Sequence, residues 1–224
     1  MKIVSGNCNG SFRTKYKKFF SEVQADVYII QECEDLGFFN QTDFPRFCSS
    51  KRVGHSKSKG LAVFSHLPLK FEDAPNHYLQ HFIPFVLDGY RIFAVWAMKS
   101  YIEQMLIYFS IYEYLLNSST IIIGDFNSNV IWDRRHKEKN HSTLNNVLLK
   151  YGLQSAYHFY SRERYGEEQE ATFFMYRNNE KPYHIDYVYA SPNILKNFKI
   201  LSYSDWSDWI DISDHVPLLV EFSI

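Results

Sequence analysis

The stretch Ser213-Asp214-His215-Val216-Pro217-Leu218 places an Asp-His pair at the start of the last apolar run of the chain. Four more polar segments stand at the ends of other apolar runs or just inside them: Gly6-Asn7-Cys8-Asn9-Gly10, Gln31-Glu32, Gly124-Asp125-Phe126-Asn127 and His184-Ile185-Asp186-Tyr187. Carboxylates, carboxamides and a histidine collected at strand ends are the groups that bind a divalent metal ion and a phosphate ester. The pattern therefore indicates a site for metal-assisted phosphate chemistry.

The composition predicts a single domain over residues 1–224 with one large core. Of the 224 residues, 46% are hydrophobic and 18% aromatic, which is ample for a domain of this size. Lysine and arginine number 24 and acidic residues 25, so the net charge is -1. A protein that coats nucleic acid without specificity is usually basic. The charge disfavours that class but not an enzyme with a local basic rim.

The cysteines and the N-terminus bear on the cellular compartment. Cys8, Cys33 and Cys48 lack Cys-x-x-Cys spacing, so we expect neither a zinc site nor a disulfide framework. Met1 to Val4 leads directly into a polar turn, which does not resemble a secretory leader. No apolar run approaches the ~18 residues of a membrane span. We expect a monomer in the cytoplasm without a membrane partner.

The spacing of apolar residues predicts more strands than helices. Helices are predicted near residues 14–23, 101–116 and 143–151, and loops over 49–60 and 132–142. Asp88-Gly89 predicts a tight hairpin. The predicted strands are 2–4, 27–30, 61–65, 82–87, 90–97, 120–123, 172–176, 185–190, 198–203 and 216–222. Since many of these are apolar on both faces, two packed sheets flanked by helices are expected.

Two buried strands carry acidic side chains to their ends. The run before Gln31 places Glu32 at the edge of a sheet, where it can bind a metal ion; the alternative is a solvated acid in an acidic segment. Asp125 and Asn127 are two residues apart in an extended segment and project to the same side. An anionic acceptor beside an amide donor suits a water molecule or a metal ion next to a phosphoryl oxygen. The alternative is a turn rich in Asp and Asn.

His215 is a candidate general base. A neutral imidazole needs a carboxylate on its other nitrogen to fix its tautomer. Because an adjacent residue rarely reaches that nitrogen, Asp186 is the better partner, and Asp214 the better carboxylate for a metal. A purely structural histidine is the alternative.

Basic residues lie in three groups that follow or separate these motifs: Arg13, Lys15, Lys17 and Lys18; Lys51, Arg52, Lys57 and Lys59; Arg134, Arg135, Lys137 and Lys139. A positive rim around an acidic centre suits a polyanionic substrate. Ordinary solvated loops are the alternative for each group. Trp132 can stack on a base or pack as part of the core.

Taken in order, the five motifs resemble those of the endonuclease/exonuclease/phosphatase superfamily, which includes exonuclease III and DNase I. The resemblance spans residues 3–222. It implies a four-layer α/β sandwich, a DNase I-like fold in which two packed mixed β-sheets are flanked by helices.

The resemblance also implies a Mg²⁺ (or Mn²⁺) cofactor and roles for the motif residues. Glu32 would be the principal metal ligand, helped by Asn9 or Asp214, and Asn7 would orient Glu32. Asp125 would handle the nucleophilic water or the leaving group, Asn127 would hold the scissile phosphate, and Asp186 would support His215. Which of Asp125 and His215 is the formal base stays open. Candidate substrate-binding residues are Arg13, Arg134, Arg135, Trp96 and His184.

Two positions depart from the family pattern. Asn9 stands where many relatives have aspartate, which removes a negative charge near the metal. Trp96 stands where relatives carry histidine or tyrosine, and an indole N–H cannot act as a general acid. Either the metal stabilises the charge of the leaving group or Lys99 or Tyr101 replaces the missing residue.

We therefore expect a metal-dependent phosphodiesterase that acts on nucleic acid, most plausibly as a DNA endo- or exonuclease. A second hypothesis is a phosphatase or phosphodiesterase acting on a small phosphorylated metabolite or lipid headgroup. A third is a non-catalytic binding module on the same fold. The retained motif residues argue against this third hypothesis, and Trp96 and Asn9 argue slightly for it.

Overall fold

Two six-stranded β-sheets lie face to face, and helices cover their outer sides. This is the four-layer α/β sandwich that the sequence predicts. The computed structural model describes residues 1–40, 42–73, 79–98 and 101–222.

The strands of the described residues are, in chain order, β1 (Lys2–Asn7), β2 (Val27–Gln31), β3 (Ser49–Val53), β4 (Leu61–Ser65), β5 (Lys70–Phe71), β6 (Phe82–Leu87), β7 (Tyr90–Trp96), β8 (Thr120–Asp125), β9 (Gln154–Ser155), β10 (Phe173–Phe174), β11 (Pro182–Tyr183), β12 (Asp186–Ala190), β13 (Phe198–Tyr203) and β14 (Leu218–Phe222). The helices are α1 (Phe12–Glu22), α2 (Tyr101–Ile111), α3 (Asp133–His136), α4 (His141–Lys150), α5 (Ala156–Ser161), α6 (Pro192–Lys196) and α7 (Trp206–Trp209).

The strand order brings the motif-bearing strands to the middle of each sheet. The first sheet has the order β13-β14-β1-β2-β4-β3, and the second has the order β5-β6-β7-β8-β12-β9. β1 and β2 are parallel and β7 and β8 are parallel, whereas the other pairs within the sheets are antiparallel. The C-terminal ends of β1, β2 and β8 meet the N-terminal end of β12, so four polar motifs share one end of the sandwich.

Apolar residues form three layers of core. The central layer fills the space between the sheets with side chains such as Ile29, Ile123 and Val220. A second layer packs α2 and α4 against the outer face of the second sheet. A third, rich in aromatic rings, packs α1 against the first sheet and includes Phe12 and Phe19. Burial of the strands on both faces explains why they appear in the sequence as uninterrupted apolar runs.

Several predicted boundaries are wrong. Part of the predicted loop over residues 49–60 forms β3, a polar strand that the alternation of apolar residues could not reveal because it lies at a sheet edge and is only partly buried. The predicted helix over 101–116 ends at Ile111 and is followed by a 3₁₀ turn, Glu113–Leu115. The loop over 132–142 contains α3, and α4 begins at His141, where the Asn140 side chain accepts a bond from Thr143 N.

Two features that bear on the cellular compartment are visible in the structure. Cys8, Cys33 and Cys48 are all unpaired thiols. Within the described part of the chain, no helix has the length and apolar character that crossing a membrane requires.

Candidate active site

Asp125 is the centre of a buried hydrogen-bond network at the end of β8. Its side chain is fully buried and accepts bonds from Asn7 Nδ2 at 3.0 Å, Asn127 Nδ2 at 3.2 Å and Asn127 N at 2.8 Å. Burial, with the nearby charge of Asp186, raises the pKa of Asp125 to about 7, against the lowering effect of His215 and these hydrogen bonds. The carboxyl group therefore titrates near neutral pH.

His215 connects this network to a second carboxylate. Its Nδ1 lies 3.0 Å from Asp186 Oδ2, and its Nε2 lies 4.0 Å from Asp125 Oδ2. Burial lowers the pKa of His215, but the charges of Asp186 and Asp125 outweigh that effect and raise the pKa to about 9. The imidazole is thus held between two carboxylates.

The loop before β14 fixes the backbone of His215. Its N–H donates to Ser213 Oγ, which donates in turn to the carbonyl of Asn7 at 2.6 Å. Asp186, the hydrogen-bond partner of His215, is also fixed, because its backbone N–H donates a hydrogen bond to Thr172 Oγ1 at 3.0 Å. Four separate segments of the chain are therefore tied together at the site by buried hydrogen bonds.

The backbone at the site adopts conformations that ordinary residues rarely take. Asn9, Glu32 and Asn127 have φ values of 51°, 59° and 45°, in the left-handed region that costs free energy for residues other than glycine. Gly124 allows β7 and β8 to approach, because a Cβ there would lie 2.0 Å from Val95 O. Three motif residues therefore carry local backbone strain, a feature that occurs at functional sites.

Two groups of side chains offer ligands for a divalent cation. Asp125, Asp186 and His215 each have a ligand atom within 4.8 Å of the others. Those atoms already bond to one another or to Asn7 and Asn127, an arrangement better suited to proton transfer than to a metal ion.

The second set, Glu32, Asp214 and Asn9, is the one that the family resemblance implies, and its oxygen ligands suit a hard cation. Asp214 is half-buried, and its charge acts on both Lys15 and His215. The chemistry of these residues therefore fits a divalent cation. Glu32 already binds a positive group, the ammonium of Lys59.

The structure places one predicted interaction differently. The resemblance implies that Asn7 orients Glu32. Its Nδ2 bonds Asp125 instead, and its Oδ1 accepts the backbone N–H of Asn9 at 2.9 Å. Asn7 thus links the side chain of Asp125 to the backbone of Asn9.

The predicted substrate-binding residues fall into two sets. Arg134 and Arg135 are exposed on α3, and Arg13 is exposed but paired with Glu34. Trp96 is 3% exposed, packs between the sheets and lies 4.6 Å from the ring of His81. His184 is also 3% exposed, and its Nδ1 bonds the carbonyl of Glu170. Their burial leaves these two rings no exposed surface for direct contact with a substrate. Lys99 and the side chain of Tyr101 lie outside the described residues.

Three cations at the site were not singled out in the sequence. Lys59 contacts Glu32, and Lys15 Nζ donates to the carbonyls of Cys8 and Asn9 at 2.7 and 3.2 Å. Both belong to the predicted basic groups, but no pattern distinguished them from their neighbours.

Arg177 is the third cation. It stands in the 3₁₀ turn between β10 and β11. Burial lowers the pKa of Lys15, and the positive charge of Arg177 adds to that effect. Phe173 in β10 packs on the His215 ring at 4.7 Å, so this hairpin rests on the site. The segment resembled an ordinary strand in the sequence, which hid the turn.

The solved structures that this chain resembles include an exonuclease, an AP endonuclease and an endonuclease domain. A 3'-5' exonuclease (NExo) from Neisseria meningitidis matches with 20% identity and a TM-score of 0.74, covering all of both chains. An AP endonuclease from Archaeoglobus fulgidus matches with 15% identity and a TM-score of 0.75, also over all of both chains. The endonuclease domain of TRAS1, a telomere-specific non-LTR retrotransposon, matches with 14% identity and a TM-score of 0.67, covering 99% of this chain and 97% of that one.

The sequence itself identifies the family. No curated protein matches it significantly, but the model of the Endonuclease/Exonuclease/phosphatase family matches residues 4–215. All three activities in that description are hydrolyses of phosphoester bonds. The match contains all five motifs that form the buried site. The chain therefore belongs to the Endonuclease/Exonuclease/phosphatase family, a family of phosphoester hydrolases.

Proposed function

We propose that this protein is a divalent-metal-dependent phosphodiesterase that hydrolyses DNA. The observation that carries the proposal is the buried chain of contacts from Asp186 through His215 to Asp125, with Asn7 and Asn127 bonded to the same carboxylate. Proton transfer beside a phosphate-holding amide is what in-line attack of water on phosphorus requires.

The two raised pKa values divide the proton-transfer roles. Asp125, with a pKa raised to about 7, is ionised in much of the protein at neutral pH and can accept a proton from water. His215, with a pKa raised to about 9, carries a proton that it can donate to the phosphate or to the leaving oxygen. We therefore assign Asp125 as the base and His215 as the acid, with Asp186 orienting the imidazole.

Glu32, with Asp214 or Asn9, would hold Mg²⁺ (or Mn²⁺). When bound, the ion neutralises charge that builds up on the phosphate oxygens. Asn127 is exposed next to Asp125, and its Nδ2 donates to Asp125 Oδ2 at 3.2 Å and to Ala97 O at 2.7 Å. To hold a phosphate oxygen, the amide would exchange the longer of these two bonds for one to the substrate.

DNA is the proposed substrate because exposed cations stand on the segment that follows Asn127 and on the hairpin that packs on His215. Arg134 and Arg135 lie on α3, and Arg177 stands at the tip of the β10–β11 hairpin beside Tyr176, which is 81% exposed. An exposed aromatic ring among cations suits a nucleic acid, whose bases stack and whose phosphates pair with positive charge. The structure of the Neisseria 3' phosphatase NExo holds a product DNA hairpin on the same fold.

A small phosphorylated molecule is the second candidate substrate, and the net charge of -1 favours it. The two substrates predict different responses to salt. Affinity for DNA falls steeply as salt rises, because bound counterions are released, whereas affinity for a small phosphate ester falls weakly.

A substrate panel tests the proposal. A plasmid, a duplex with an abasic site and a set of phosphorylated small molecules should each be incubated with the protein, with and without Mg²⁺. Metal-dependent cleavage of either DNA supports the proposal. Hydrolysis of a small molecule but of neither DNA supports the second candidate. If no substrate is hydrolysed, the hypothesis of a non-catalytic binding module is favoured.

The monomeric state and the cytoplasmic location stay predictions. Light scattering coupled to size-exclusion chromatography tests the first, with a mass near 26.6 kDa expected. Cell fractionation tests the second.

A further inference from the structure

Lys59 places a positive charge on the carboxylate that we propose as the main metal ligand. Its Nζ pairs with Glu32 Oε2, although the lysine side chain is 47% exposed and the glutamate side chain 16%. The ammonium therefore turns inward to the site from the rim.

Strand pairing holds Lys59 in this position. In the antiparallel pair β2–β4, Gln31 stands opposite Leu61, and Cys33 N donates to Gly60 O at 2.9 Å just beyond the strands. A Cβ at Gly60 would lie 2.5 Å from Val53 O, so the backbone there is closely packed. The contact between Lys59 and Glu32 follows from this register and is not that of an unconstrained surface lysine.

A second ammonium reduces the negative charge of the same group. Lys15 is held by the carbonyls of Cys8 and Asn9 and interacts with the charges of Glu32 and Asp214. The two carboxylates are thus balanced by two ammonium groups. Because affinity for a divalent cation rises with the negative charge of its ligands, these lysines oppose metal binding.

We propose that Lys59 is a resident cation of the metal site. Its ammonium neutralises Glu32, competes with a divalent ion for that carboxylate and, once displaced, turns its charge to the substrate phosphate. The inference rests on the proposed function, since it needs Glu32 to be a metal ligand. It adds a specific consequence, which is that removing the lysine strengthens metal binding while weakening DNA binding.

Direct binding measurements on the full-length protein test this consequence. Isothermal titration calorimetry with Mn²⁺ should compare the wild type with Lys59→Met, Lys59→Arg and the control Lys57→Met, which alters an exposed lysine two residues away. We expect roughly three- to tenfold tighter Mn²⁺ binding for Lys59→Met, the range for a partly exposed ion pair. The Lys59→Arg and Lys57→Met variants should bind Mn²⁺ like the wild type.

A second measurement separates competition from damage to the fold. Fluorescence anisotropy with a labelled DNA in EDTA should show weaker binding for Lys59→Met than for Lys57→Met, because without metal or lysine the charge of Glu32 is left to repel the DNA phosphates. A disturbed fold would weaken the binding of both Mn²⁺ and DNA. The proposal instead predicts tighter Mn²⁺ binding and weaker DNA binding. Unchanged or weaker Mn²⁺ binding by Lys59→Met, with an unchanged thermal unfolding transition, would overturn the inference.

Glu32→Gln shows which of the two claims has failed. If it loses Mn²⁺ binding while Lys59→Met equals the wild type, the metal site stands and the role of the lysine is wrong. If Glu32→Gln binds Mn²⁺ as tightly as the wild type, the proposed metal site itself is wrong. The inference is also overturned if neither the wild type nor Lys59→Met binds Mn²⁺.

Discussion

His215 Nδ1 lies 3.0 Å from Asp186 Oδ2, although the two residues are 29 positions apart in the chain. Asp186 begins β12 and stands opposite Asp125 of β8 across an antiparallel pair. The same pairing that closes the second sheet therefore sets two carboxylates side by side, and the loop before β14 delivers the imidazole to both.

Asp186→Asn should lower the pKa of His215 clearly below its wild-type value of about 9. Burial alone lowers this pKa, and the charge of Asp186 is the largest effect that opposes it. NMR titration of the histidine ring in EDTA measures the change. Asp208→Asn, an exposed control, should leave the pKa near 9. A pKa near 9 in Asp186→Asn would show that another group stabilises the imidazolium.

Asp125→Asn should lower turnover on DNA by about 10²- to 10⁴-fold, the usual contribution of a general base. The amide is nearly isosteric but places an N–H donor where Asn7 and Asn127 already donate, so circular dichroism should check that the variant is folded. Steady-state kinetics on the best substrate of the panel provides the measurement. Asp88→Asn, in the exposed turn between β6 and β7, is the matched control and should retain wild-type rates. A fully active Asp125→Asn protein would remove Asp125 from the mechanism.

The site could be predicted from the sequence to the extent that its residues end buried strands. Asp125 and Glu32 follow uninterrupted β-branched runs, and such runs predict both the strand and the position of the residue at its end. The contact of Lys59 with Glu32 and the turn that holds Arg177 depend on strand register and on left-handed backbone conformations. Neither of these leaves a periodic signal.

The fold, like the site, has parts that the sequence pattern reveals and parts that it does not. β3 is polar and half-buried at a sheet edge, so alternation of apolar residues does not reveal it. The boundary of α2 at Ile111 is set by the following 3₁₀ turn, whose Leu115 is buried like the helix face before it. An apolar pattern that continues through such a turn lengthens the predicted helix.

Gly124→Ala should destabilise the protein by about 2–4 kcal/mol, within the range of severe single substitutions. Its φ of 151° is unfavourable for alanine, and the new Cβ would lie 2.0 Å from Val95 O. The strands would have to separate at the position that holds Asp125. Urea denaturation measures the loss. Gly89→Ala is the comparison, because no atom lies within 4 Å of a Cβ at that position; its positive φ of 81° makes some cost expected, but a smaller one. Equal stability of wild type and Gly124→Ala would contradict the close approach of β7 and β8.

His141 should make the protein less stable as the pH falls. Burial lowers the pKa of His141 to about 3, while its unfolded-state pKa is near 6.5. Below pH 6.5 the unfolded chain binds a proton that the folded protein excludes, so stability falls toward pH 3 by up to ~1.4 kcal/mol per pH unit. His141→Phe should reduce this slope in urea denaturation between pH 6.5 and 4. His55→Gln, at an exposed position, should not. An unchanged slope in His141→Phe would exclude His141 as the cause.

Arg177→Met should weaken DNA binding and reduce the slope of log K against log salt by about one, the value for one lost phosphate contact. Fluorescence anisotropy over a series of salt concentrations measures both effects. Lys196→Met is the control, because α6 follows the end of β12 that is remote from Asp186. If both variants keep the wild-type slope, the β10–β11 hairpin does not contact DNA.

The central claim is that the buried site hydrolyses phosphodiesters with the help of a divalent ion. The most direct test follows cleavage of an abasic-site duplex by the wild type and by His215→Ala, each in Mg²⁺ and in EDTA, with folding checked by circular dichroism. We predict cleavage by the wild type in Mg²⁺ only, and a loss of at least about 100-fold in His215→Ala. Cleavage at the wild-type rate by a folded His215→Ala protein, or cleavage that persists in EDTA, would contradict the account.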